Sequence, residues 1–359
     1  MFFSPYCLYK ASISRYKSNT RLWILFSIVI LLFPAVIRNS SVGTDVAVYQ
    51  IPLLKMARNA SSFAVFYKNA SRTGISDLGY LLIVYLVKVL NGGYRFLFFI
   101  EELLAIVPIV LLVFSKRKEL NVYMCLVVYN LLFYVETYNC IRQMLAVSFF
   151  VLSIFFYSQK RYACFISALI AISFHRSAII IIIVLVLFIA VKKGNIKLIG
   201  FISFLLFTIT LLFSKYYYEI LIVIRNFMPF IPDRYFSMNY LVISEANFHF
   251  FEIYCCILGV VFSYLYIQKN NNDTNMRAYL LLESVALGAA SFAAQSKWGY
   301  RILWYFYIFE MYSLSSVKFK SRNTRLIVNC IIIICPMILY WIYYYYLNQA
   351  AGIFPYEVF

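Results

Sequence analysis

The sequence predicts an all-α, polytopic integral membrane protein. Three observations carry this. The 359 residues are 64% hydrophobic and only 13% charged. Mean hydropathy is +0.82. Apolar runs of about 20 residues, the length that crosses a hydrocarbon core about 30 Å thick, recur along the whole chain. Soluble domains are about one-quarter charged, and a water-soluble fold of this size could not hide so much apolar surface. A β-barrel is excluded because its strands are short and alternate apolar with polar residues; these runs are apolar all round.

In chain order, about eleven transmembrane helices are expected, at 22–37, 94–114, 120–137, 141–158, 162–175, 177–191, 196–214, 249–267, 277–294, 301–316 and 325–347. Residues 1–21 are a basic tail, and 22–359 form a single polytopic domain. The first span is expected to be retained, because Gly43-Thr44-Asp45 follows it where a cleaved signal would show small residues. Basic residues favour short cytoplasmic loops. The tail carries Lys10, Arg15, Lys17 and Arg21, and later clusters are Lys116-Arg117-Lys118, Lys160-Arg161, Lys192-Lys193 with Lys197, Lys269 with Arg277, and Lys318, Lys320, Arg322 and Arg325. Placing all of them inside puts the N-terminus in the cytoplasm and the C-terminus outside.

Two segments need separate treatment. Residues 78–90 are apolar but too short for a full span, which would also carry Lys116-Arg117-Lys118 outside. They read as a short re-entrant or interfacial helix on the outer side, hinged by Asn91-Gly92-Gly93, with a tilted short span that breaks the charge pattern as the alternative. The polar break Ser173-Phe174-His175-Arg176-Ser177 divides 162–191 into two spans meeting at an outer turn. Two larger outer loops, 38–77 and 215–248, complete the topology.

This topology collects candidate site residues on the outer side: Arg38, Asp45, Tyr49, Asp77, Tyr80, Arg142, Gln143, His175, Ser177, Arg234, Trp298, Tyr300 and Arg301. Arginine away from the cytoplasmic side needs a reason, and its planar fork suits phosphate oxygens. The cluster therefore points to a lipid-linked phosphate or diphosphate, with the aromatic residues offering faces on which sugar rings stack. Each element also has a plainer reading: arginines snorkelling to lipid headgroups, Trp298 and Tyr300 in an interfacial belt, His175 packed at a helix end, Asp45 and Asp77 as loop or cap residues. Glu101, Glu102, Glu136 and Glu283 are too scattered along the sequence to assign. The eight cysteines make neither a disulfide framework nor metal-ligand spacing. No metal and no cofactor are expected, and with no basic soluble domain nucleic acid is excluded as a partner.

At these same residues the chain resembles the EpsG-like branch of Wzy-type polysaccharide polymerases. Arg38 with Gly43-Thr44-Asp45 and Tyr49 resembles an "R…GTD…Y" element. Asp77-Leu78-Gly79-Tyr80 resembles "E-x-GY", with Asp where Glu is usual. Ile141-Arg142-Gln143 with Ala146 resembles "RQ…A", and Phe174-His175-Arg176-Ser177-Ala178 resembles "FHxSA". Tyr300-Arg301 with Tyr305 resembles a late "R…Y", and Pro355-Tyr356 a terminal "PY". The resemblance covers about residues 22–359; many members have one more span where this chain has its basic tail.

The resemblance implies a multi-pass enzyme of the bacterial cytoplasmic (inner) membrane. Such an enzyme joins undecaprenyl-diphosphate-linked oligosaccharide units, as donor and acceptor, into an O-antigen, capsule or exopolysaccharide. It implies contact with membrane lipids, and with a chain-length regulator and a flippase as partners. On this reading Arg142 and Arg301, assisted by Arg38, hold the diphosphate. His175, or second Asp45, acts as base or orients the acceptor. Tyr49, Asp77, Tyr80, Gln143, Ser177, Arg234, Trp298 and Tyr300 contact substrate. Two alternatives stay open. An O-antigen ligase shares the arginine site but usually has a larger outer loop than 215–248. A lipid-linked sugar flippase would spread charges through mid-membrane and show internal repeats.

Overall fold

The computed structural model describes residues 1–191, 196–216, 219–220, 223, 250–270, 273–293, 297–316, 319 and 321–358. Among these the chain is helical throughout, and its β pairing is an isolated bridge between Arg38 and Val358. It forms two compact units, Met1–Ile179 with Lys318–Phe359, and Ile180–Val317.

The first unit opens with a feature the sequence reading left without structure. Within residues 1–21, Phe3–Ile13 is a helix, α1, and the next helix begins at Lys17 rather than 22 (α2, Lys17–Ile37). Cys7, Leu8 and Ala11 are buried, a helical spacing that lays one face of α1 on α2. Ser4 Oγ donates to the Ser27 carbonyl at 2.9 Å and Ser27 Oγ to the Ser4 carbonyl at 3.0 Å. Small residues allow this close approach without a hydrophobic driving force. Because Ser27 lies at the middle of α2, α1 reaches about half way along it. Asn130 Nδ2 then donates to the Met1 carbonyl at 2.7 Å.

After a π-type turn at Val46–Gln50, short amphipathic helices α3 (Ile51–Asn59) and α4 (Phe63–Arg72) fill the loop after α2. α5 (Leu78–Val89) covers the short apolar segment. Its 12 residues extend only about 18 Å at 1.5 Å per residue, too little to cross a bilayer core. It begins beside Arg142, and residues 90–93 separate its end from the start of α6 (Tyr94–Ser115). α6 packs beside α8 (Ile141–Ser158), where Ser148 Oγ donates to the Ala105 carbonyl at 2.8 Å. Between them lie α7 (Val122–Leu132) and a 3-10 turn at Val135–Tyr138. α9 (Ala163–Phe174) pairs with α8, and the unit is completed by the last helix of the chain, Arg322–Leu347, which has π-type turns at Ile327–Ile334 and Ile342–Leu347. Tyr345 Oη donates to Glu136 Oε1 at 2.7 Å, seating that helix.

In the second unit α10 (Ile181–Val191) and α11 (Ile196–Lys215) pack on α13 (Thr274–Ala293), beside α12 (Phe250–Lys269), α14 (Lys297–Tyr307) and α15 (Glu310–Ser316). The final helix, Arg322–Leu347, is α16. Glu283 on α13 is buried and accepts from Ser263 Oγ at 2.8 Å and from Ser313 Oγ, so this carboxylate is hydrogen-bonded where an isolated charge would be costly.

Among the described residues helices fall within the expected span segments. Among the described residues five of them, Lys17–Ile37, Tyr94–Ser115, Ile141–Ser158, Phe250–Lys269 and Arg322–Leu347, are by themselves long and apolar enough to cross a membrane. The others are shorter, interrupted or more polar: α9 ends at His175, α14 and α15 are separate helices, and α13 carries Arg277 and Glu283. Exposed Leu25, Phe26, Phe33, Ile182, Ile183 and Val186 suit contact with lipid, which needs no polar covering.

Gly259 supports a first prediction. A Cβ there would lie 2.2 and 2.5 Å from the two carboxylate oxygens of buried Glu310. Gly259→Ala is expected to destabilise the protein by about 1–3 kcal/mol through overpacking, and Glu310→Ala in the same chain should restore most of it. Thermal melting in detergent reads both; an unchanged melting temperature for Gly259→Ala would mean Glu310 swings clear.

Candidate active site

The candidate residues of the first unit converge where α2 ends, α5 and α8 begin, and the chain after α16 returns. Arg38 follows α2, its N–H donating to the Pro34 carbonyl at 3.2 Å. Its guanidinium lies between two rings, 4.4 Å from the Phe98 centroid and 4.3 Å from that of Tyr138, a cation–π sandwich. The side chain is fully buried, and none of its three nitrogens has a hydrogen-bond partner among the described residues. Arg38, expected at the outer end of the first span, is enclosed in the structure. Two buried carboxylates stand near. Tyr80 Oη donates to Glu101 Oε1 at 2.8 Å, and Thr137 Oγ1 to Glu102 Oε1 at 2.7 Å. Arg38 lies close enough for its charge to act on both carboxyl groups.

The Gly43-Thr44-Asp45 loop is fixed from two sides. Gly43 has φ +98°, a left-handed conformation, and a Cβ there would lie 2.3 Å from the Tyr138 carbonyl oxygen. Both facts call for glycine. Its N–H donates to the Gly352 carbonyl at 2.8 Å, and Thr44 Oγ1 donates to Asn139 Oδ1. Asp45 is half-buried next in line, and its charge acts on Tyr80 and Glu101.

Arg142 opens α8. Its Nη1 bonds Asp77 Oδ2 at 2.6 Å, with the side chains 16% and 9% exposed. The guanidinium carbon lies 5.2 Å from the Tyr49 ring centroid. A partly buried cation is thus held by a carboxylate and an aromatic face, and keeps some access to solvent. Gln143 beside it is buried.

His175 caps the end of α9 in extended conformation, its N–H donating to the Ala171 carbonyl. Its Nδ1 is 2.6 Å from Ser177 Oγ and accepts from the Ser177 backbone N–H at 3.3 Å. A ring nitrogen that accepts from an N–H carries no proton itself, so the neutral imidazole is protonated at Nε2. The His175 turn abuts the start of α5: Arg176 Nη2 donates to Ser76 Oγ, and Gly79 packs so closely on Ser173 that a Cβ would lie 2.2 Å from its hydroxyl. The structure thus brings Arg38, Asp45, Tyr49, Asp77, Tyr80, Arg142 and Gln143 together, with His175 and Ser177 at the adjoining turn.

The remaining expected residues do not belong to the first unit's described part. Arg301 lies on α14 of the second unit and is half-buried. Trp298 and Tyr300 occupy the same helix, their side chains outside the described residues, as is Arg234.

The profile of the EpsG family matches residues 21–358. The chain belongs to the EpsG family. No curated protein and no solved structure matches it. The EpsG family is one of Wzy-type polysaccharide polymerases, so this member is a multi-pass membrane enzyme of polysaccharide biosynthesis. Within the EpsG chain, motif pieces as far apart in sequence as Arg38 and Tyr356 meet in one unit.

Of the residues around Arg38, sequence reasoning names Glu101 and Glu102 without a role and does not reach Phe98, Thr137 and Tyr138. One signal was available: two adjacent glutamates in an otherwise apolar span must find partners. The hydrogen bonds of Asn139 and of Gly352 with the Gly43 loop leave no such mark.

Proposed function

We propose that this EpsG-family protein polymerises undecaprenyl-diphosphate-linked oligosaccharide repeat units at the outer face of the bacterial cytoplasmic membrane. The observation that carries the reading is the convergence of Arg142, Tyr49, Asp45 and Tyr80 with the His175 turn in the first unit. Its outward orientation follows from the basic clusters assigned to the cytoplasm, which also leaves the C-terminus outside.

The acceptor hydroxyl oxygen attacks the anomeric carbon of the donor. The bond from that carbon to the diphosphate oxygen breaks, and the hydroxyl proton is lost. Arg142 stabilises the negative charge that grows on the leaving diphosphate. Asp45, a half-buried carboxylate, accepts the proton. His175, protonated at Nε2, orients the acceptor through that N–H; its Nδ1 contacts support this role over that of base. Tyr49 packs its ring on Arg142, and Tyr80 is buried with its hydroxyl on Glu101. No resident metal or cofactor enters the reaction. Arg301 keeps the support of the family pattern alone.

The test is the size ladder of surface polysaccharide in a strain deleted for this gene and complemented in turn with the wild-type, Asp45→Asn and His175→Ala chains. Deletion should leave single lipid-linked or surface-capped repeat units. Asp45→Asn should resemble the deletion, and His175→Ala should retain short polymer. Long polymer still on its lipid diphosphate would indicate a ligase, and units trapped inside a flippase. An unchanged ladder on deletion would remove the polymerase reading.

A further inference from the structure

The chain beyond α16 makes contacts that the functional reading has not used. Gln349, Ala351 and Gly352 all have positive φ, turning the chain sharply at the end of the helix. Residues 352–358 then run antiparallel to residues 38–43. Arg38 bridges Val358, the Asn39 N–H donates to the Glu357 carbonyl at 2.8 Å, and the Gly43 N–H donates to the Gly352 carbonyl at 2.8 Å. Side chains reinforce the pairing: Ser41 Oγ donates to Glu357 Oε2 at 2.7 Å, and Tyr356 Oη donates to the Pro34 carbonyl. That carbonyl also takes the Arg38 N–H. Burial, against the opposing charge of Arg38, pushes the Tyr356 phenol up to about 12, so it remains a donor at every physiological pH. Phe354 anchors the segment edge-on to Trp341 and Tyr346, at 5.5 and 5.4 Å between ring centroids.

We propose that residues 352–358 are a positioning strap for the site, with Tyr356 its principal positioning residue. The physical argument is one of constraint. The Gly43 loop leads straight into Asp45, which opens the helical turn that runs on to Gln50, so the loop sets where that turn begins. Its backbone N–H groups at 39 and 43 need partners, and the strap supplies both. On the opposite side Tyr138 and Asn139 complete the clamp. The strap also lies along Arg38, whose enclosed guanidinium packs on the same Tyr138 ring. Losing the strap therefore shifts the Asp45 carboxylate and leaves Arg142, held by Asp77 and Tyr49, in place. This rests on the reading that Asp45 and Arg142 serve one reaction.

The experiment uses purified full-length protein in lipid nanodiscs. Repeat units extracted from a strain lacking this gene serve as donor and acceptor. Displacing a reacting group by about 1 Å lowers rate by up to about a hundredfold, so Tyr356→Ala is expected to lower kcat about ten- to a hundredfold. KM for the lipid-linked unit should change less than about twofold. Tyr356→Phe keeps the ring, loses the Pro34 bond, and should fall between. A Tyr356→Ala protein with wild-type kcat overturns the proposal. So does one in which Tyr356→Ala and Tyr356→Phe lower the melting temperature alone, because the segment is then packing and nothing more. Arg142→Ala in the same assay separates the two readings: if it too is fully active, the site assignment fails, and if it is inactive while Tyr356→Ala is active, the strap alone fails.

Discussion

Replacing Arg142 with alanine is expected to lower polymerisation by about 100- to 1,000-fold, the usual effect of removing one charged donor from a developing anion. The site gives the reason. Arg142 is both held in place and partly open, gripped by Asp77 at 2.6 Å and by the Tyr49 ring. Arg142→Lys should recover little, because an ammonium has neither the planar fork for two phosphate oxygens nor the same face for Tyr49. One complication is built into the geometry. Removing Arg142 strands the Asp77 carboxylate, and breaking a fully buried pair destabilises by about 3–5 kcal/mol, less here because both partners keep some exposure. The double variant Arg142→Ala with Asp77→Asn removes that stranded charge. If it regains its melting temperature and stays inactive, Arg142 acts on substrate. If it regains long polymer, the pair is structural and the diphosphate is held elsewhere.

Gly43→Ala is expected to be nearly as damaging without touching any charge. The position has φ +98°, and a Cβ would lie 2.3 Å from the Tyr138 carbonyl oxygen and 3.3 Å from Val46 Cγ2. Backbone strain of this kind amounts to about 1–3 kcal/mol, and the clash is with main chain, which cannot swing away. The loop must move, carrying Thr44 from Asn139 and Asp45 with it. A shift near 1 Å predicts a loss of up to about a hundredfold in rate. Gly93→Ala is the control: nothing lies within 4 Å of its Cβ, and its φ is −86°, so polymer should be normal. Normal polymer in Gly43→Ala as well would mean that catalysis tolerates a displaced Asp45 loop.

The sequence by itself determined the membrane helices, because a bilayer demands long segments that are apolar on every side and so leaves a local, readable mark. It also singled out Asp45, Arg142 and His175, since polar residues at span ends stand out against an apolar background. α5 was legible for a related reason, its shortness. Residues 1–21 were less legible, because Cys7, Leu8 and Ala11 form too brief an apolar face to register beside four basic residues. Tertiary structure alone decided the rest. The enclosure of Arg38 between Phe98 and Tyr138, the partners of Glu101 and Glu102, and the placing of Arg301 in the other unit follow from how helices pack. So does the pairing of Ser41 with Glu357. Such contacts join residues far apart in the chain, set by which helix ends meet in space, and no spacing along the sequence encodes them.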